Sequence, residues 1–421
     1  MQFKFRKGLD LDMGAGPDGS HAELRSVGLV GLSGQDYPGT TFDLRVAEGD
    51  PVKTGQVLCV DRHRSEIRFV APAAGLVRRI TLGARRRLET LVIAVEGNDA
   101  QRLDPDPASE DDAALRCLLL ESGAWVGIRS RPFGHIPDPG SRPAAIFVTA
   151  TDTNPLAANP VAVLAPEMAL FQRGAEALLR LTDGPVFVCQ APGPPLVVAR
   201  DRLRIATFDG PHPSGLAGTH IHHLLPVSGQ RSVWQIGYQE VAAIGHLLTT
   251  GRIMASRTLS VVGPGLTKPA LVTAPLGSDL VDLTRNQTQG GAIRLISGPV
   301  LSGREAAFLG RYDLQVAVVD RDSPALPFRP LWQRLMDVLQ PSPVGATLPL
   351  EVFERAFPLD LLPVPLMRSL AVGDVETSER LGCLELLEDD LALLSWLCPS
   401  RSDYGALLRR VLNTLAEESA P

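Results

Sequence analysis

From Val27 to Gly97 the hydrophobic positions come in short runs cut by Gly-Asp and Pro-Ala pairs, the rhythm of a small β domain. The next stretch reads differently. Ala113 to Ser122 places leucines 115, 118 and 119 on one helical face, and an unbroken apolar run, Ala144 to Ala150, reads as a buried strand. A helix over Glu167 to Thr182 and a second apolar strand at Val186 to Cys189 complete a βαβ pattern, so a Rossmann-like parallel sheet is expected. Short β runs return at Leu259–Val262, Ala270–Thr273 and Ile293–Gly303. Past Pro327 the chain turns leucine-rich, with helices expected over Leu331–Leu339, Leu361–Leu370, Leu384–Leu397 and Tyr404–Glu418. The expected architecture is an α/β multidomain chain. Its regions are a β domain (1–102), a Rossmann-like domain (103–256), a small β-rich unit (257–326) and a C-terminal helical domain (327–421).

Composition narrows the function classes. The 421 residues carry a formal net charge of −6, which leaves no basic field for nucleic acid or an anionic membrane surface. Met1 to Lys7 lacks the apolar core of a signal peptide, and no apolar run reaches the length of a membrane span, so a soluble, cytoplasmic chain is expected. The 5 cysteines are scattered and odd in number, and read as reduced structural thiols.

Three motifs bear on chemistry. Val46-Ala47-Glu48-Gly49-Asp50-Pro51-Val52 through Gly55-Gln56-Val57-Leu58, followed by Ala71-Pro72-Ala73-Ala74-Gly75, resembles the barrel-sandwich fold of lipoyl and biotinyl carrier domains, which the resemblance implies for the β domain of residues 1–102. Those carriers bear their cofactor on a lysine between the two motifs. Here the interval Cys59 to Arg68 has no lysine, which excludes swinging-arm chemistry. Gly263-Pro264-Gly265 is followed by Lys268-Pro269 rather than a third glycine and a helix start, so it reads as a β-turn and not a nucleotide loop. Phe208 to Leu224 holds half of the 8 histidines. Its glycines and prolines predict an ordered loop feeding a strand at Leu224 to Val227, with His220 and His222 on one face of an extended backbone. A metal site there lacks further ligands nearby, and a hydrogen-bonded loop is expected instead.

The order of several segments carries a family resemblance: Phe5 to Leu11, Ser130 to Phe133, Thr149 to Ala158, the histidine-rich stretch, Leu309 to Tyr312, Pro358 to Pro363, and Leu381 to Leu386 with Cys398-Pro399. Together they resemble the A subunits (NqrA family) of the sodium-translocating NADH:quinone oxidoreductases. The resemblance implies an SLBB-like β-grasp fold for the small β unit. It also implies a peripheral component without covalently bound cofactor, on the cytoplasmic face of the bacterial inner membrane. Protein contacts would hold it there, the B subunit (NqrB) of the complex foremost, while flavins and the iron–sulfur centre reside in partner subunits and ubiquinone is the substrate. No activity is expected of the isolated chain. Between Val319 and Phe357 the chain is shorter than the family pattern, with Pro341 to Thr347 in place of a longer stretch. The leucine-rich helices and that region are the expected surface for a membrane partner. A related C-type subunit of Rnf-like complexes carries iron–sulfur clusters, but Cys383 and Cys398 stand too far apart for such a site.

A quinone headgroup needs an apolar slot, donors for two carbonyls and a route for protons. The resemblance points to two stretches as its neighbourhood. Arg131, Phe133 and His135 offer a donor, a ring and a titrating imidazole; Ser33, Gly34 and Tyr37 offer a small loop with polar ends. The competing expectations are that Arg131 and Phe133 dock domains, and that the chain is a structural or assembly component with no quinone site of its own.

Overall fold

The computed structural model describes residues 1–17, 19, 22–104, 111–289, 292–320 and 347–419. The helix expected over Leu331–Leu339 and the Pro341–Ala346 stretch lie outside them. Four bodies pack together. In the N-terminal domain a four-stranded sheet (Leu29–Ser33, Leu88–Val95, Gly75–Leu82, Pro51–Val52) packs on a three-stranded one (Phe42–Leu44, Val57–Asp61, Arg68–Val70) through Leu58, Phe69, Val77 and Leu91. This is the barrel-sandwich that the carrier-like motifs imply. Where a carrier would present its lysine, Arg64 instead bonds the Asp61 carboxylate at 2.9 Å and the Ile136 carbonyl at 3.2 Å, pinning the hairpin tip to the next domain.

The second domain is built on a six-stranded sheet. Its order is Gln2–Lys4, Leu203–Asp209, Val186–Gln190, Ile146–Ala150, Val233–Gly237, Arg129–Arg131, all parallel except the last. The apolar runs Ile146–Ala150 and Val186–Gln190 are its centre, as strands covered on both faces should be. The edge strand Gln2–Lys4 comes from the extreme N-terminus and carries no strand signal strong enough to be read alone. Helices Met168–Leu178 and Tyr238–Thr250 cover one face and touch where Gly174 meets Val241 and Gly245 meets Leu170. A β-carbon on either glycine would lie far inside contact with a backbone carbonyl of the other helix.

Strands Arg304–Glu305, Ile293–Ser297, Gln315–Asp320, Ser256–Val262 and Ala270–Pro275 form the small β unit, with Glu23–Leu24 added at its edge. Gly263–Gly265 lies in the connection between two antiparallel strands, in line with the turn expected there. The C-terminal body packs Phe353, Phe357, Met367, Leu391, Tyr404 and Leu408 into a separate core. Leu9, Leu11 and Met13 lie against that core, so the N-terminal segment straps it to the parallel sheet.

Two expectations are corrected. The stretch Leu384–Leu397 is not one helix: turns at Cys383–Glu385 and Glu388–Leu391 precede a short helix, Ala392–Leu397. Leu387 is extended (φ −121°, ψ 178°), because Asp390 turns inward to accept the Leu387 N–H at 2.8 Å. The histidine stretch is not extended either. Ala217–Leu224 is a helix, and no strand follows at Leu224–Val227. The prolines stop at Pro213, and the eight residues from Ala217 contain nothing that forbids a helix turn.

Substituting Gly245→Ala forces the two covering helices apart. The expected cost is about 1–3 kcal/mol, read as a lower thermal midpoint with the secondary-structure content unchanged by circular dichroism.

Candidate functional site

All four bodies contribute to one cleft of about 1040 Å³. Its walls are the loop after strand Leu29–Ser33, the turn through His135, the Arg311–Gln315 segment and the final helix Tyr404–Glu418. A smaller apolar slot of about 80 Å³ opens between Leu32, Tyr37, Val70, Leu247 and Leu309, with Glu240, Arg257 and Arg311 among its polar lining.

Those three charged groups set the geometry. Glu240, at the start of helix Tyr238–Thr250, accepts from Arg257 at 2.7 and 3.0 Å and from Arg311 at 2.5 and 2.8 Å. Burial alone would raise this carboxyl, but the two guanidiniums hold it at about 2. Arg311 continues the chain of contacts. Its backbone N–H donates to Asp36 at 2.8 Å, and Asp36 also pairs with Arg304. The Ser33–Tyr37 loop is thereby fastened to the small β unit. Tyr37 is buried, edge-on to Phe69 at 4.8 Å and Tyr312 at 6.2 Å, and burial pushes its phenol well up. Tyr312 donates to the Val126 carbonyl at 2.8 Å, and Arg129 lies 4.6 Å over its ring.

The two predicted stretches meet. The His135 imidazole rests on Gly39, where a β-carbon would stand 2.9 Å from the ring; Gly39 also has φ +75°, so the position favours glycine twice over. Gly34 and His135 line the cleft, and Ser33 and Tyr37 line the slot. Phe133 is half-buried against the C-terminal core, 5.8 Å from the His135 ring, and its carbonyl accepts from Arg409 at 2.5 Å. Arg131 is fully buried. It donates to Gln235 at 2.8 Å, to the Glu385 carbonyl at 2.6 Å and to Asp390 at 2.7 Å, so it ties the parallel sheet to the C-terminal body. Asp390, the last residue of an acidic stretch running from Asp374, is thus buried rather than turned to solvent.

His135 does not titrate near neutrality as expected of it. Burial, then Arg409 and Arg64, lower it to about 4, leaving a neutral imidazole. Carboxyls that titrate higher than usual stand elsewhere in the cleft. Burial raises Asp152 and Asp313 to about 6 against the hydrogen bonds of Asn154 and Ser297. In the sequence Asp152 stands out only as part of the Thr149–Ala158 resemblance segment, and Arg129, Glu240, Arg311 and Tyr312 have no assigned role. The segment Leu309–Tyr312 is the available signal for the last two.

The histidines of helix Ala217–Leu224 are spent on packing. His220 is buried 4.2 Å from the Phe208 ring and bonds the Ser214 carbonyl at 3.1 Å. His222 Nε2 accepts the Asp360 N–H at 3.0 Å, which leaves Nδ1–H to donate to Glu385 at 2.7 Å. His223 bonds the Pro358 carbonyl. On a helix His220 and His222 face different neighbours, and the shared face of the extended reading is absent.

Comparison with known proteins follows the same domain order. Residues 3–96 match the NqrA N-terminal barrel-sandwich hybrid domain, 110–253 the NqrA second alpha/beta domain, and 258–307 the NQRA C-terminal domain. The chain is 40% identical over 444 aligned residues to the A subunit of the Na(+)-translocating NADH-quinone reductase of Saccharophagus degradans, covering 99% of each chain. The chain belongs to the NqrA family. Its Klebsiella pneumoniae relative of the same name is 41% identical over 99% of both chains, and that of Shewanella amazonensis 40% over 98% of this chain and 99% of its own. Among solved structures, an NAD+-reducing [NiFe]-hydrogenase in the H2-reduced state aligns at 14% identity over 75% of this chain and 64% of that one, with a TM-score of 0.40. That level carries neither activity nor cofactor across to this NqrA-family chain.

Two outcomes follow from these side chains. Arg131→Met strands Asp390 in the interior and is expected to cost about 3–5 kcal/mol; adding Asp390→Asn should recover part of it in urea unfolding. The second concerns acid. His135 and His212 are lowered to about 4 and His220 to about 3, each chiefly by burial, from an ordinary value of 6.5. As pH falls from 6.5 toward 4 the unfolded chain takes up protons that the folded chain refuses, so stability is lost. Asp152 and Asp313, raised to about 6 from 3.8, work the other way below pH 6 and only partly offset three histidines. Calorimetry should show the thermal midpoint falling across that window, and His220→Gln should flatten the slope.

Proposed function

We propose that this chain is the quinone-binding, cofactor-free peripheral component of a sodium-pumping NADH:quinone oxidoreductase, working only within that complex. The observation that carries the reading is identity near 40% along essentially the whole chain to proteins named as the A subunit of that reductase. The proposed site is the Tyr37 loop and the cleft beside it. The quinone ring enters the apolar slot between Leu32, Tyr37, Val70 and Leu247, and the Arg311 guanidinium at its polar end supplies hydrogen-bond donors for a carbonyl oxygen. Ser33 and Gly34 frame the mouth; His135 stands on the facing wall, with the Phe133 ring 5.8 Å from it against the C-terminal core. Neutral His135 can donate or accept, while Asp152 and Asp313 are the groups poised to exchange protons with a reduced quinone. Arg131 supports that wall from beneath.

Flavins and the iron–sulfur centre are assigned to partner subunits, and no covalent carrier chemistry falls to this chain, since its hairpin tip has Arg64 pinned rather than a free lysine. No helix among the described residues is long and apolar enough to cross a membrane. Attachment at the cytoplasmic face is therefore assigned to protein contacts, those with the B subunit first. Leu348, Leu362 and Val372, exposed at 53%, 58% and 81% in the C-terminal body, are the proposed docking positions.

Titrating the purified chain with a short-tailed ubiquinone analogue tests the site. Trp125 lies beside Ala124 and Val126 of the slot, so a saturable change in tryptophan fluorescence is expected. Tyr37→Ala should weaken it by about tenfold or more, equivalent to about 1.4 kcal/mol. No saturable change, or an unaltered one in Tyr37→Ala, would leave the structural reading standing.

A further inference from the structure

A third concavity, of about 350 Å³, lies on the barrel-sandwich domain behind the Tyr37 loop. Four arginines line it: Arg62 from the carrier-like hairpin tip and Arg85, Arg86 and Arg87 from the turn joining strands Gly75–Leu82 and Leu88–Val95. None of their guanidinium groups makes a hydrogen bond or ion pair to a described residue. Elsewhere in this chain of net charge −6 the arginines of the cleft, such as Arg304, Arg311 and Arg409, are matched to carboxylates. Here the one lining carboxylate is Glu89.

The turn itself points to a use for these side chains. Arg85 has φ 55° and Arg86 φ 57°, the left-handed region. A tight hairpin turn with two such residues is the place where asparagine and glycine sit at low cost, and two arginines there cost stability. The hydroxyl of Thr40, in the same wall, is buried with no hydrogen-bond partner among the described residues. A concave wall thus offers forked, permanently charged donors to a compact anion, with the Thr40 hydroxyl beneath it lacking a partner of its own.

We propose that the Thr40, Arg62, Arg85, Arg86 and Arg87 pocket binds a phosphoryl group, carried by a soluble compound or by a lipid headgroup. The pocket shares Gly34, Gln35 and Arg87 with the large cleft, so an occupant touches the loop that carries Tyr37. The proposal stands on the arginine geometry and is independent of the quinone reading.

The test uses the full chain and the variant Arg85→Asn/Arg86→Gly, which installs the residues the turn prefers and should fold at least as stably. Arg78→Ser/Arg79→Ser, exposed on strand Gly75–Leu82, removes equal charge outside the pocket lining. Pyrophosphate is titrated by calorimetry, and vesicles of phosphatidylcholine with and without phosphatidylglycerol are co-sedimented. The expected result is saturable binding of pyrophosphate, of phosphatidylglycerol vesicles, or of both. The turn variant should weaken it at least about tenfold with no fall in thermal midpoint, and Arg78→Ser/Arg79→Ser should retain it. Pyrophosphate binding assigns a soluble ligand, and vesicle binding alone a lipid one. Failure of the wild-type chain to bind either probe, no loss in the turn variant, or equal loss in both variants overturns the proposal.

Discussion

A carboxylate buried between two arginines organises this chain. Glu240 belongs to the parallel-sheet domain, Arg257 begins the small β unit's first long strand, and Arg311 reaches back from that unit's far end. Each charge is costly to bury alone and is tolerable only because the others are present with good hydrogen-bond geometry. The consequence is positional. Arg311, fixed by Glu240 at its head, is fixed by Asp36 at its backbone, and so the Tyr37 loop of a third body is placed against the same core. A cleft with walls from four bodies exists because this small network sets where three of them stop.

The elements legible in the sequence are those decided by local pattern. The apolar runs at Ile146–Ala150 and Val186–Gln190, the helix at Asp112–Glu121 and the last helix at Tyr404–Glu418 follow from periodicity, and the structure places them within a residue or two of the expected positions. The histidine stretch shows the limit of that approach. Glycine and proline forbid regular structure only where they stand, and the eight residues beyond Leu216 are free to wind into a helix whose imidazoles bond Ser214, Pro358, Asp360 and Glu385. Asp390 shows another: in an acidic run nothing local separates the carboxylate that meets a buried guanidinium from those that meet water. Arg131 is legible as a residue of interest, but which group it serves is a property of tertiary contacts 259 residues away.

The candidate site divides along the same line. Family resemblance brings forward the two stretches that the fold sets on opposing walls, with Gly39 against His135 as their point of contact. The charges behind them, Glu240, Arg257 and Arg311, come from three separate segments with no motif in common. Proton handling shifts as well. Burial beside Arg409 and Arg64 leaves His135 neutral, whereas the same burial without a close cation raises Asp152 into the range where it exchanges protons. The hairpin that resembles a cofactor carrier is put to another use, with Arg64 anchoring it and Arg62 facing the arginine-lined pocket.

The dependence of the cleft on Glu240 is open to direct measurement by hydrogen exchange on the full chain carrying Glu240→Gln. The charge that Arg257 and Arg311 share is then gone while the side chain's size is kept. Amides of Ser33–Tyr37 and of Arg311–Gln315, in two different bodies, are expected to lose protection together with the start of helix Tyr238–Thr250. Faster exchange confined to that helix, or no change in the Tyr37 loop, would contradict that dependence.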